Sequence, residues 1–87
     1  MNRTELIQKL KINLNNESQE ILDLGLSKLN LSNLDLRGLD FGNILLNGVN
    51  FTNSNLSDVN FKRANLTGAN LIGANLTGEN LKGANLI

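Results

Sequence analysis

The stretch ANLTGANLIGANLTGENLKGANLI, residues 64–87, repeats every five residues, with Leu at the third place of each unit and Gly closing each complete one. Followed back toward the N-terminus, the same frame holds without insertion or deletion to Leu24, through LGLSK, LNLSN, LDLRG, LDFGN, ILLNG, VNFTN, SNLSD and VNFKR. Residues 24–87 are therefore twelve complete pentads and a fragment, and the third place is Leu or Phe in every one. A single α-helix cannot use this pattern, because at about 100° per residue successive third places step by roughly 140° and ring the cylinder. One long strand fails too, since its period of two throws every other third place to the opposite face. The chain has to bend once per pentad. The first and third places are mostly apolar and two apart, so a short extended segment turns both inward and the second place outward, and the fourth and fifth make a corner.

Six corners end in Gly (Gly38, Gly48, Gly68, Gly73, Gly78, Gly83) and four in Asn33, Asn43, Asn53 or Asp58. These residues accept the positive φ that a type II turn needs at its second central residue. Lys28 and Arg63 stand at the same place, and their corners are expected to use another turn type.

Pentads of this kind resemble the A(D/N)Lxx motif of the pentapeptide-repeat family, most closely over residues 64–87, and the resemblance extends over residues 24–87. It implies an all-β solenoid, a right-handed quadrilateral β-helix with four pentads per coil. In that register Phe41 and Phe61 stack on one face with Phe51 on the opposite one. About three coils result, ~15 Å tall at the usual strand spacing. Two features depart from the family pattern. The first place, typically Ala, is Leu at 24, 29, 34 and 39, then Ile44 and Val49, and becomes Ala only at 64, 69, 74 and 84. Glu79 occupies an inward first place, in the column of Leu39 and Val59, where an unpaired carboxylate is costly.

Residues 1–23 lie outside the repeat and read as an N-terminal helical cap preceding the repeat domain of residues 24–87. Asn2 and Glu5 form a capping-box pair, followed by the apolar stripe Leu6, Ile7, Leu10 and Leu14, with Lys9 and Lys11 toward the C-terminal end. Asn16 with Gln19 marks a second short helical start that carries Ile21 and Leu22 toward the first coil.

Composition narrows the chemistry. Eight Lys and Arg balance eight Asp and Glu, so no global field draws the protein to nucleic acid or an anionic membrane. With no Cys and no His there is no thiolate, no imidazole base and none of the usual zinc ligands, and no cofactor is expected. No apolar run reaches the ~18 residues of a membrane span and residues 1–10 lack a signal-peptide core, which points to a soluble cytoplasmic protein. The hydroxyls have no activating base, and the solenoid carboxylates Asp35, Asp40, Asp58 and Glu79 do not stack as outward pairs. An enzyme is not expected.

The outward Asn ladders, such as Asn50 below Asn70 and Asn60 below Asn80, are read as hydrogen-bonding devices that hold corners and coils. A regular Thr face of the ice-binding kind is absent: the fourth-place columns run Ser27, Asn47, Thr67, Ile87 and Ser32, Thr52, Ile72. One patch stands out. Lys62 and Lys82 share a column on adjacent coils beside Arg63, a candidate anion or partner site, although like charges facing each other across strands destabilise.

Two functions remain. The first is a noncatalytic protein-interaction or scaffold module, of a kind many bacterial and especially cyanobacterial members of the resembled family represent, acting on an unidentified protein partner through the solenoid surface or the cap. The alternative is the family branch whose acidic rod mimics DNA and binds gyrase, against which the solenoid here sets four acids against five bases. Direct nucleic-acid binding and membrane association are not expected. The sequence stops inside a pentad, which leaves Leu71, Leu76, Leu81 and Leu86 on a candidate self-association edge and predicts a twofold homodimer through the last coil.

Overall fold

In a computed structural model, the structure describes residues 1–14 and 20–87. Helix α1 spans Arg3–Leu14. Its start is a reciprocal capping box: Glu5 N donates to Asn2 Oδ1 at 2.9 Å and Asn2 N to Glu5 Oε1 at 3.3 Å, which satisfies amides that no helical carbonyl reaches. Glu5 in the first turn and Lys11 in the last oppose the helix dipole. Leu6 and Leu10 are buried, with Ile7 packed beside them, so α1 presents this stripe to the repeat core. The second capping pair, Asn16 and Gln19, lies outside the described residues.

From Asn30 on, the second place of each pentad forms a parallel β-bridge with the residue 20 positions later, from Asn30↔Asn50 to Asn65↔Asn85. Four pentads thus complete one turn of the chain. Each face contributes little more than one bridged residue before the next corner, so the ladders are built from points rather than long strands. The earliest bridge, Leu22↔Ile44, is spaced by 22 residues, and the 20-residue register sets in with Lys28 N donating to Asn47 O at 2.9 Å.

In ten corners the first-place N–H donates back to the third-place carbonyl three residues earlier, at 2.9–3.4 Å. The fifth place has positive φ at every one of these corners. Gly68, Gly73 and Gly78 lie at 71°, 72° and 74°, as type II geometry requires. Lys28 and Arg63 are the correction: at 64° and 58° they too take positive φ, close to the Asn and Asp corners at 57–59°. Two causes hold them there. Their amides are fixed by the ladder, Lys28 N on Asn47 O and Arg63 N on Lys82 O, both at 2.9 Å. The residues stacked above them are Gly48 and Gly83, whose missing Cβ leaves space for the Lys28 and Arg63 stems. Non-glycine residues rarely adopt this region, so the ladder outweighs a local strain of about 1 kcal/mol per residue.

Third places from Leu26 to Leu66 are fully buried. Phe41 and Phe61 stack with centroids 5.6 Å apart and planes 14° from parallel, and Phe51, reaching across from the opposite face, meets both edge-on at 5.9 and 5.8 Å. The three rings fill the middle of the core. Burial falls toward the last turn, where Leu71, Leu76 and Leu81 are half-buried and Leu86 is 51% exposed.

Candidate functional site

The abundant Asn residues are spent on the backbone. From Asn30 to Asn85 every second-place Asn or Asp accepts, through Oδ1, the fourth-place N–H two residues on, at 2.8–3.2 Å. Only Leu45 lacks the oxygen to do so. Each such bond closes an Asx turn that aims the chain into its corner. Bonds between coils are fewer: Asn60 Nδ2 donates to Asp40 Oδ1 at 3.0 Å, and Ser27 Oγ to Asn47 Oδ1 at 2.7 Å. The ladders therefore shape corners first and join coils second.

One polar side chain was not singled out by the repeat reading. Ser54 is 1% exposed at an inward first place. Its hydroxyl donates to Leu31 O at 2.5 Å and accepts from Leu34 N at 3.2 Å, bridging the two backbone groups that other corners join directly. The signal in the sequence was a Ser among apolar first places. Glu79, the other polar residue there, is only half-buried and meets water.

The candidate basic patch lies at a single corner. Lys62 and Lys82 occupy equivalent fourth places one coil apart, with their amides tied to Asn60 Oδ1 and Asn80 Oδ1. Arg63 Nε donates to Asn43 Oδ1 at 3.1 Å, which anchors the guanidinium to the coil below. Among the described residues neither lysine forms an ion pair. A salt bridge, Arg37 Nη2 to Asp35 Oδ2 at 2.8 Å, sits at another corner, and the Arg37 side-chain hydrogen bonds hold the Asp35 carboxyl below its ordinary pKa. The candidate self-association residues Leu71, Leu76, Leu81 and Leu86 lie in the last turn, the first three half-buried and Leu86 exposed. A cleft of about 250 Å³ lies between α1 and the first turn, lined by Ile7, Leu10, Lys11, Gly38, Leu39 and Asp40. Among the described residues there is no cluster of three or more acidic residues placed to hold a metal ion, and no helix is long and apolar enough to cross a membrane.

The family model for pentapeptide repeats matches in eight copies, over residues 30–68 and 64–87. The chain belongs to the pentapeptide-repeat family. Among solved structures it is similar to the pentapeptide-repeat protein Rfr23 from the cyanobacterium Cyanothece 51142, at 30% identity and a TM-score of 0.45, over 75% of this chain and 54% of that one. It is also similar to alr5209, a pentapeptide-repeat protein from Nostoc PCC 7120, at 28% identity and a TM-score of 0.34, over 98% of this chain and 75% of that one. A third is HetL of Nostoc sp. PCC 7120, a pentapeptide-repeat protein involved in heterocyst differentiation regulation, at 28% identity and a TM-score of 0.34, over 71% of this chain and 39% of HetL. The chain thus spans about half the length of the first of these proteins and less of HetL. A comparison with curated proteins found no match.

Proposed function

We propose that this pentapeptide-repeat chain is a noncatalytic interaction or scaffold module that regulates a protein partner in the cytoplasm. Its frame is taken to be a right-handed quadrilateral β-helix of about three coils, residues 24–87, with residues 1–23 as an N-terminal cap. The 20-residue bridge spacing and the docking of Leu6 and Leu10 support this frame. The observation that carries the functional reading is the division of polar groups. Asn and Asp oxygens are used inside the corners, whereas Lys62, Arg63 and Lys82 gather at one corner and form no ion pair among the described residues. Like charges stacked on neighbouring strands oppose folding, and an acidic partner segment offsets that cost on binding.

The test compares the parent with the triple variant Lys62→Glu, Arg63→Glu, Lys82→Glu in affinity capture from the native cell. A protein retained by the parent and lost from the folded variant supports the reading. Identical capture by both removes the patch from it. Gyrase supercoiling assays run beside this, and protection of gyrase by the chain would replace the proposal with the DNA-mimic alternative. The surface at Leu71, Leu76, Leu81 and Leu86 is proposed to receive a second copy in a twofold contact, because half-exposed leucines lie together there.

A further inference from the structure

Leu45 stands at an outward second place where every other pentad from Asn30 to Asn85 has Asn or Asp, so its corner forgoes the Asx turn that the others close. Nor does Leu45 serve the core: it is half-buried on the outer surface and takes no part in the apolar cluster of the described residues. The parallel bridge Leu22↔Ile44 sets Ile21 beside Asn43 and Asp23 beside Leu45, and Ile21 is 46% exposed. Ile21 and Leu45 thus flank Asn43 on the side opposite to inward Ile44. Asn43 Oδ1 in turn accepts from Arg63 Nε at 3.1 Å, which ties the basic corner to this apolar pair. One coil is ~4.8 Å and two extended residues ~6.6 Å, so the Leu45 and Arg63 backbones lie within about 8 Å of each other. Two carboxylates are near, and both are engaged. Asp23 Oδ1 accepts from Gly25 N at 2.9 Å, and Asp40 Oδ1 accepts from Gly42 N at 2.8 Å and Asn60 Nδ2 at 3.0 Å.

We propose that this surface receives an extended acidic segment of a protein partner, which sets a carboxylate against Lys62, Arg63 and Lys82 and, two residues away, an apolar side chain against Leu45 and Ile21. The inference deepens the interaction reading above and rests on it. Side chains two apart in an extended chain share a side and stand ~6.6 Å apart, close to the step from the cations to Leu45. Charge complementarity fixes the acidic end. Asn43 holds the Arg63 guanidinium before binding, which lowers the ordering cost of the contact. Asp23 beside Leu45 repels a second carboxylate at the apolar end, so the register of the segment is set by repulsion as well as attraction. A nucleic-acid strand on the same cations would run onto Ile21, Leu45 and Asp23, which offer its next phosphate nothing.

The test titrates the isotope-labelled full chain, its amide shifts read by NMR, with a capped dodecapeptide carrying Glu-Ser-Leu at the centre of a Gly and Ser background. Saturable shifts are expected at the Ile21, Leu45, Arg63 and Lys82 amides, with affinity about fivefold weaker for peptides carrying Gln-Ser-Leu or Glu-Ser-Ser. Leu45→Asn restores the residue type that the repeat carries at this place, and Ile21→Ser changes an exposed site, so both variants should fold. Each should weaken binding about threefold. If one loses the parent's circular dichroism, the other decides. No saturable shift at millimolar peptide, equal affinity for Glu-Ser-Leu and Glu-Ser-Ser, or unchanged affinity in the folded variants overturns the proposal. So does tighter binding of oligothymidylate than of the peptide, which assigns the corner to nucleic acid. The cellular capture described above separates the two readings. A partner lost from the Lys62→Glu, Arg63→Glu, Lys82→Glu variant but kept by both Leu45→Asn and Ile21→Ser overturns the two-part segment and leaves the interaction reading standing. Capture indifferent to the triple variant removes both.

Discussion

At the scale of single residues, the fifth place shows how a repeat tolerates unfavourable local geometry. Gly73 has a φ of 72° and lies over Asn53, whose Oδ1 occupies the position an added Cβ would take. Gly73→Val therefore meets both a forbidden backbone region and a steric conflict, and should lower stability by about 1 kcal/mol or more, measured by chemical denaturation. Glu79 is the opposite case. Its neighbours in the column, Leu39 and Val59, are buried, while Glu79 sits in the half-open last turn. Glu79→Ala should raise the melting temperature at pH 7, and a lower value would show that the carboxylate has a stabilising partner. Asp35 gives a pH dependence of known sign. Arg37 holds its pKa below the ordinary value, so the stabilisation is present above the unfolded-state pKa and disappears as pH falls through the folded one. Both side chains are exposed and screened, so the effect on stability is small. An NMR titration should nonetheless show the Asp35 pKa rising in Arg37→Gln.

At the scale of elements, corners and helix are joined by polar groups that the pentad pattern does not advertise. Ser54 substitutes its hydroxyl for a turn hydrogen bond in the coil below. Ser54→Ala should cost about 1 kcal/mol and speed exchange of the Leu34 amide, because a carbonyl and an N–H then lose their shared buried partner. Unchanged exchange would mean that the 31–34 corner closes directly, as its neighbours do. The capping box of α1 was legible from Asn2 and Glu5, since it depends on residues three apart in one chain segment. The seat of Arg3 was not legible, since its acceptors lie 32 and 34 residues away and are backbone carbonyls with no side-chain signature.

At the scale of the whole molecule, the burial gradient sets the expected behaviour in solution. The core is closed from Leu26 to Leu66 and loosens over Leu71, Leu76, Leu81 and Leu86. If that edge pairs with itself, sedimentation equilibrium at micromolar concentration should give a dimer that Leu86→Asp converts to monomer. A single 9.5 kDa species whose mass Leu86→Asp leaves unchanged would remove the self-association edge. The substitution replaces a half-exposed leucine, so the folded monomer should keep the parent's circular dichroism.

The sequence by itself determined the pentad frame, the inward third places and the corner at each fifth place, because a strict period repeats the same local demand and every unit solves it alike. With the coil length that the family resemblance implies, it also placed Lys62 and Lys82 in one column, since a column then follows from counting. The tertiary structure decided what counting cannot. Lys28 and Arg63 take positive φ because ladder bonds to the coil above hold them there, overriding residue preference. Phe51 crosses the core to meet Phe41 and Phe61 because the section is narrow enough for rings from opposite faces to touch. Arg3 meets the first coil because only the folded chain brings a helix start against a row of carbonyls awaiting donors. Local periodicity is written residue by residue, whereas an edge exists only after the coils have formed, and what seals it depends on distances that no sequence spacing encodes.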